Sequence, residues 1–377
     1  MHILWINVDN FSSPPPHSAF DFFYILYYTN YMANEFTKYL EKIETALNYA
    51  INMDFDDDWK KYSFGESAAK KNYIQNLIEP NKNLIDLGGK RWRPLLLLLC
   101  YEMEKNHNKE YLTEEQTYAL TPLVEFVHTA SLIHDDIEDS ADLRRGKPAA
   151  HITYGLDTAL NAASWLYFEA PVCIDRLNLS DALKVKFYRL YTTELRRLHL
   201  GQAMDIFWHR EKSFFPEIPD YMEMVKCKTG TLASLAAKVG TLAGGASEEK
   251  TQEIGAICAN IGIGFQIIDD VINLTCGNPG KKRGDDIVEG KKSLPVLMHI
   301  QSCPQDKAEL SKLMEQAAKE GIESPAVEQC IGLLEKSGCI KQAADKGIQL
   351  IRENCEKLSE SPLIFKLFDA MIPEAFK

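Results

Sequence analysis

From Glu35 to the C-terminus, apolar residues recur at three- and four-residue spacing in stretch after stretch, and period-two runs rich in Val, Ile and Thr are missing. A chain patterned this way folds as helices packed on helices, so the reading is all-α. The spacing predicts helices over about 33–51, 69–79, 91–105, 114–138, 155–177, 181–209, 218–243, 247–274, 292–301, 306–319, 325–336, 339–359 and 362–371. Leu95 to Leu99 is an unbroken leucine run, which predicts a helix covered on nearly every side. No linker divides the 377 residues, so one large helical domain over 32–377 is expected, with 1–31 as an N-terminal extension.

The formal net charge of −12 argues against a general affinity for nucleic acid and points to divalent cations as the natural partners. The nine cysteines are scattered, odd in number and without a CxxC spacing, which fits a reducing cytoplasmic compartment and argues against a zinc site. The N-terminus lacks a basic segment and a small-residue cleavage site, and its apolar run from Phe22 to Tyr28 is far shorter than the ~20 residues of a membrane helix. No membrane span is expected.

Four aspartate runs stand out: Asp56 to Asp58, Asp135-Asp136, Asp269-Asp270 and Asp285-Asp286. Any one of them could be a solvated surface cluster. Asp135 and Asp136, however, follow the apolar stretch LVEFVHTASLI and sit at the C-terminal end of a buried helix, where the helix dipole disfavours anions. Five acids between Asp135 and Asp142 raise one another's pKa unless a cation neutralises them. Asp135 and Asp139 share one helical face and offer the oxygen ligands that octahedral Mg²⁺ takes. Asp269-Asp270 repeats the arrangement after IGIGFQII, with Asn273 where a third acid is expected. Asn keeps a carbonyl oxygen without the charge, so this second site relies on Asp269 and water.

Basic groups are interleaved with these acids. Lys90, Arg91 and Arg93 stand at a helix entrance whose free N–H groups also favour an anion. Arg144-Arg145-Gly146-Lys147 follows the first acid cluster, and Lys281 to Arg283 with Lys291-Lys292 follow the second. Together these form the parts of a metal and diphosphate clamp.

In these motifs the chain resembles the trans-isoprenyl diphosphate synthase family. Residues 88–94 look like its GGKRxRP signature, HDDIEDSADLRRGKP like its first aspartate-rich motif, and LGQAMDIFW (200–208) like its GQxxD helix. KTGTL (228–232) and GFQIIDDVINL with GDDIVEGKKSLP complete the set in family order over about 36–300. DDIEDSADLRRG, NAASWLYF and GQAMDIFW are most similar to the eukaryotic geranylgeranyl diphosphate synthases. The resemblance implies a single helical bundle around a central apolar cavity, the isoprenoid synthase fold, and a homodimer. It assigns Lys90, Arg93, His128 and Arg145 to isopentenyl diphosphate and Asp135, Asp139 and Asp269 to Mg²⁺. Arg144, Lys228, Thr229, Gln266, Lys281 and Lys291 go to the allylic diphosphate, with Asp136, Gln202, Asp205, Asp270 and Asn273 supporting.

The implied reaction joins isopentenyl diphosphate to an allylic diphosphate (dimethylallyl, geranyl or farnesyl) through an allylic cation, giving a longer all-trans chain. For its length, the small Ala130 and Ser131 leave room for a tail behind Asp135, and Trp165, Tyr167 and Phe168 could floor the tunnel at C20. Two other readings stand beside this one: a terpene cyclase on the same scaffold, and a silent subunit of a prenyltransferase heteromer. The complete set Lys90, Arg93, His128 and Arg145 argues against the first, and the retained acids with Arg144 and Arg145 argue against the second.

Overall fold

A computed structural model describes residues 35–211, 213–277 and 282–376, so the expected extension 1–31 and Lys281 lie outside the described residues. The chain runs through α1 (35–50), α2 (Asp57–Phe64), α3 (Lys71–Asp86), α4 (Trp92–Lys105), α5 (Glu114–Ala119) and α6 (Pro122–Glu138). There follow α7 (Ala150–Tyr154), α8 (Leu156–Glu169), α9 (Val172–Arg176), α10 (Asp181–Arg210), α11 (Ile218–Val225), a π-helical turn (Lys226–Gly230) and α12 (Thr231–Ala243). The remainder is α13 (Glu248–Thr275), α14 (Asp285–Glu289), α15 (Leu294–Ser302), α16 (Lys307–Glu320), α17 (Pro325–Lys336), α18 (Cys339–Glu356) and α19 (Pro362–Asp369).

The helical reading holds, and its departures have local causes. The stretch read as one helix over 114–138 breaks at Pro122, which has no N–H to continue the ladder and instead opens α6 at its first position. The helix expected to stop at 79 runs on to Asp86 with Pro80 inside it, held by burial of Ile74, Ile78, Leu84 and Ile85. An internal proline costs ~3 kcal/mol, which the burial of two such side chains offsets. Asp56 proved to be a helix cap, accepting from Trp59 N at 2.7 Å. The only strands among the described residues are the two-residue β1 (Leu143–Arg144) and β2 (Lys147–Pro148), joined by Arg145 and Gly146 at φ 52° and 75°. Positive φ at both positions is the hairpin-forming turn.

Helices α4, α12 and α13 make the centre. Every residue of α12 is buried, and Leu95 to Leu99 on α4 are at most 2% exposed. A Cβ on Gly240 of α12 would lie 2.0 Å from Leu97 O, so only glycine lets the two backbones meet. The one charge on α12, Lys238, is buried but paired with Glu194 of α10 at 2.7 Å. Helix α13 is long and apolar enough to cross a membrane, but it is packed between α12 and α18 and most of that stretch is inside the protein. Core burial accounts for its composition. The bundle leaves the C-terminal ends of α6 and α13 on one cavity.

Candidate active site

That cavity, of about 330 Å³, is lined from α6 by His128, Ser131, Asp135 and Asp139, and from α13 by Gln266, Asp269 and Asp270. Arg93 and Arg144 close one side, and Lys228, Thr229, Lys291 and Lys292 another. Two acidic helix ends therefore share one space with a ring of cations.

Close backbone approach sets this geometry. A Cβ on Gly201 of α10 would lie 2.3 Å from Lys228 N, and one on Gly262 of α13 would lie 2.9 Å from Gly230 Cα. These glycines hold α10 and α13 against the π turn, a wide turn that proteins use at functional sites. Lys228 Nζ consequently reaches Asp205 Oδ2 at 2.6 Å and stands 3.8 Å from Asp135 Oδ1. Thr229 Oγ1 donates to Gln266 Oε1 at 2.8 Å. Gln202, next to Gly201, donates to Asp135 Oδ1 at 2.7 Å and to Glu138 Oε2 at 2.5 Å.

The electrostatics follow from burial opposed by pairing. Burial alone would lower the Lys228 pKa, but Asp205 and Asp135 hold it above the usual lysine value. Burial likewise opposes the charge on Lys291, which Asp286 (3.0 Å), Glu289 (2.6 Å) and Asp139 raise well above normal. Burial lifts Asp139 and Asp136 above the ordinary carboxylate value, and with Asp286 beside it pushes Asp270 up to about 7. His128 is held well below the ordinary histidine value by burial and by Arg93 and Arg145, so its ring is neutral at pH 7. Burial and Arg145 bring Arg93 down to about 10, which still leaves it charged.

The turn between β1 and β2 separates the two arginines. Arg144 forks onto Asp136 Oδ1, through Nε at 2.8 Å and through Nη2, and Arg145 donates to Leu84 O at 3.1 Å and to Gly88 O. Arg145 thereby ties the Gly88-Gly89 loop beside Arg93. Lys90 sits exposed at the rim, its ammonium 5.7 Å from the Phe265 ring centre. Arg91 turns inward at φ 47° and is buried against Glu44, Glu125 and Ile85 O, each at 2.6 Å, so it braces the loop rather than facing the cavity.

Several expectations need correction. Asn273 is fully buried away from the cavity, its Oδ1 accepting from Asp286 N at 3.2 Å and its carbonyl from Gly284 N at 2.9 Å. It latches the loop before Lys291 and offers the cavity no ligand. Of the three aromatics, only Tyr167 lines the cavity, stacked on His134 with centroids 5.4 Å apart. Phe168 is 78% exposed, and Trp165 packs on Phe64 and Trp59, because neighbours on a helix point in different directions. Ala130 has no exposed surface, and Ser131 is the residue at the wall.

Sequence reasoning missed Tyr221, whose hydroxyl donates to Asp270 Oδ2 at 2.7 Å, and His209, 3.1 Å from Asp205 and 3.9 Å from Asp139. His209 lies four residues after Asp205 on α10, a spacing that could have flagged it; nothing marks Tyr221.

The residues present fit a divalent ion. Asp135, Asp139 and Asp269 line one cavity, Asp139 is crowded by Glu289 and Asp135, and the donors are all oxygen, the set that hard cations take.

The polyprenyl synthetase family model matches residues 74–332. A geranylgeranyl diphosphate synthase from Methanosarcina mazei is 31% identical over 310 residues, 80% of this chain and 91% of that protein. Geranylgeranyl pyrophosphate synthase 2 of Zymoseptoria tritici is 37% identical over 61% of this chain and 69% of its own length. The crystal structure of geranylgeranyl pyrophosphate synthetase from Pyrococcus horikoshii superposes with a TM-score of 0.75 at 26% identity, covering 93% of this chain and 99% of that one. The fold is thus that of the all-α isoprenyl diphosphate synthases. The chain belongs to the polyprenyl synthetase family of divalent-metal-dependent trans-prenyltransferases, and neither a cyclase nor a silent subunit is favoured.

Proposed function

We propose that this enzyme is a magnesium-dependent, cytoplasmic geranylgeranyl diphosphate synthase that extends an allylic diphosphate with isopentenyl diphosphate. The observation that carries the reading is the single cavity in which the acidic ends of α6 and α13 face Arg93, Arg144, Lys228 and Lys291. Asp135, Asp139 and Asp269 would hold Mg²⁺, which supplies Lewis-acid stabilisation to the departing diphosphate.

Arg144, Lys228 and Lys291 bind the allylic diphosphate and take up negative charge as the C–O bond breaks. Lys90, Arg93 and Arg145, with neutral His128, orient isopentenyl diphosphate on the other side. Its double bond attacks the allylic carbon, and the proton lost afterwards passes to the released diphosphate. Thr229 and Gln266, hydrogen-bonded to each other, line the wall beside that carbon. Leu132, Leu198, Leu232 and Phe265 exclude the water that would quench the cation.

The C20 product is supported by the names of the relatives and by the small side chain of Ser131, one turn before Asp135 on the cavity wall. A homodimer is supported by exposed Leu156, Leu160 and Phe168 on α8 and Leu200 and Phe207 on α10. The test is incubation with isopentenyl diphosphate and each of dimethylallyl, geranyl and farnesyl diphosphate, with and without Mg²⁺, followed by chain-length analysis. Geranylgeranyl diphosphate from all three, with Ser131→Phe shifting the product toward C15, is expected. A cyclic product from one diphosphate alone, or no turnover with Mg²⁺, would overturn the reading.

A further inference from the structure

At the opposite end of α15 from the cavity-lining Lys292 and Ser293, its C-terminal turn carries a second group of metal-type ligands. His299, Cys303 and Asp306 follow one another at spacings of four and three, across the junction between α15 and α16. Backbone bonds from Cys303 N to His299 O (2.7 Å) and from Asp306 N to Cys303 O (3.0 Å) hold that junction. One ligand atom from each residue lies within 4.8 Å of the other two.

Ser337 Oγ lies 2.9 Å from His299 Nδ1 and 3.0 Å from Leu334 O. With its proton on Leu334 O the hydroxyl accepts from Nδ1–H, and in that tautomer of the neutral ring Nε2 presents its lone pair. That nitrogen is buried with the rest of His299, which is 2% exposed, and it has no hydrogen-bond partner. It faces Asp306 Oδ2 at 3.3 Å. A lone pair aimed at a carboxylate in a buried place is repulsive, and a cation between them removes the repulsion. An additional proton on the ring would also do so, and a metal-binding measurement that reads the Cys303 sulfur tells the two apart.

We propose that His299, Cys303 and Asp306 form a binding site for a zinc-class divalent ion, separate from the catalytic metal. Imidazole and thiolate select such an ion over magnesium. Tetrahedral ligands stand ~3.5 Å apart, so the half-buried Cys303 and Asp306 close in by about an ångström while water takes the fourth position. Ser337 orients the imidazole, as hydrogen-bond partners of metal-bound histidines do. The ion would clamp α15 to the start of α16, at the opposite end of α15 from Lys291 and Lys292.

Cobalt(II), added to the chelator-stripped protein, serves as the probe. One equivalent should bind with a sulfur-to-cobalt charge-transfer band that is lost in Cys303→Ser and kept in Cys276→Ser, the exposed cysteine. The band should also persist in an Asp135→Asn/Asp269→Asn variant, which separates this site from the catalytic one. Zinc should displace the cobalt and raise Tm in the wild type but not in Cys303→Ser. Ser337→Ala should weaken zinc binding by about 10- to 100-fold. Absence of the band in the wild type, or its survival in Cys303→Ser, overturns the proposal, as does a doubly protonated His299 ring by NMR in zinc-saturated protein.

Discussion

Replacing Asn273 with alanine tests whether the second acidic motif ends in a ligand or in a latch. In the native protein Asn273 Oδ1 accepts from the buried Asp286 N–H, and Asp286 in turn holds Lys291 Nζ at 3.0 Å. Truncation strands that N–H, at about 1–3 kcal/mol, and opens a small void at about 1 kcal/mol. Part of this is offset, because Asn273 Nδ2 is itself buried without a partner and its loss relieves that burial. A net loss of about 1–3 kcal/mol is expected. With an unfolding entropy of about 2.1 cal/mol/K per residue, that lowers Tm by about 1–4 °C for a chain of 377 residues. The second consequence is kinetic, since a loosened loop misplaces Lys291 and raises the KM for the allylic substrate. Calorimetry and steady-state kinetics on the same preparation read both. An unchanged Tm, together with a fall in kcat as large as that of Asp269→Ala, would refute the latch and make Asn273 a direct participant.

Asp135→Ala and Asp269→Ala should each reduce kcat by ~10² or more, and excess Mg²⁺ should not restore the rate; full activity in either would remove that residue from the metal site. Arg93→Ala should raise the KM for isopentenyl diphosphate more than that for the allylic substrate, and Lys291→Ala the reverse, with equal effects in both variants arguing against two distinct diphosphate positions. Glu169, buried beside Ser63, is pushed up to about 7 by burial, against the pull of Ser63 and Arg176. A raised carboxyl pKa contributes stability that is complete below about 4.5 and lost as pH rises through about 7, some 3 kcal/mol in all. Thermal unfolding of Glu169→Gln across pH 4–8 should lack that decline, and a parallel curve for wild type and variant would contradict the shift.

Period and punctuation along the chain determined the helical class, because burial of one face is encoded by spacing that does not depend on what the face meets. The same local logic placed the acids at helix ends and grouped Asp135 with Asp139. Which cations meet those acids was decided only in three dimensions. Lys228 reaches Asp205 because Gly201 and Gly262 let two helices close on a π turn, a contact between residues far apart in sequence. Three neighbouring basic residues, Lys90, Arg91 and Arg93, read alike as charges, yet the positive φ of Arg91 sends it inward to Glu44 and Glu125 while Arg93 lines the cavity and Lys90 stays exposed. Phe168 shows the same limit from the other side: residue type suggested a floor, and helix phase turned the side chain toward solvent. Spacing fixes which residues share a face, and only packing decides what that face touches.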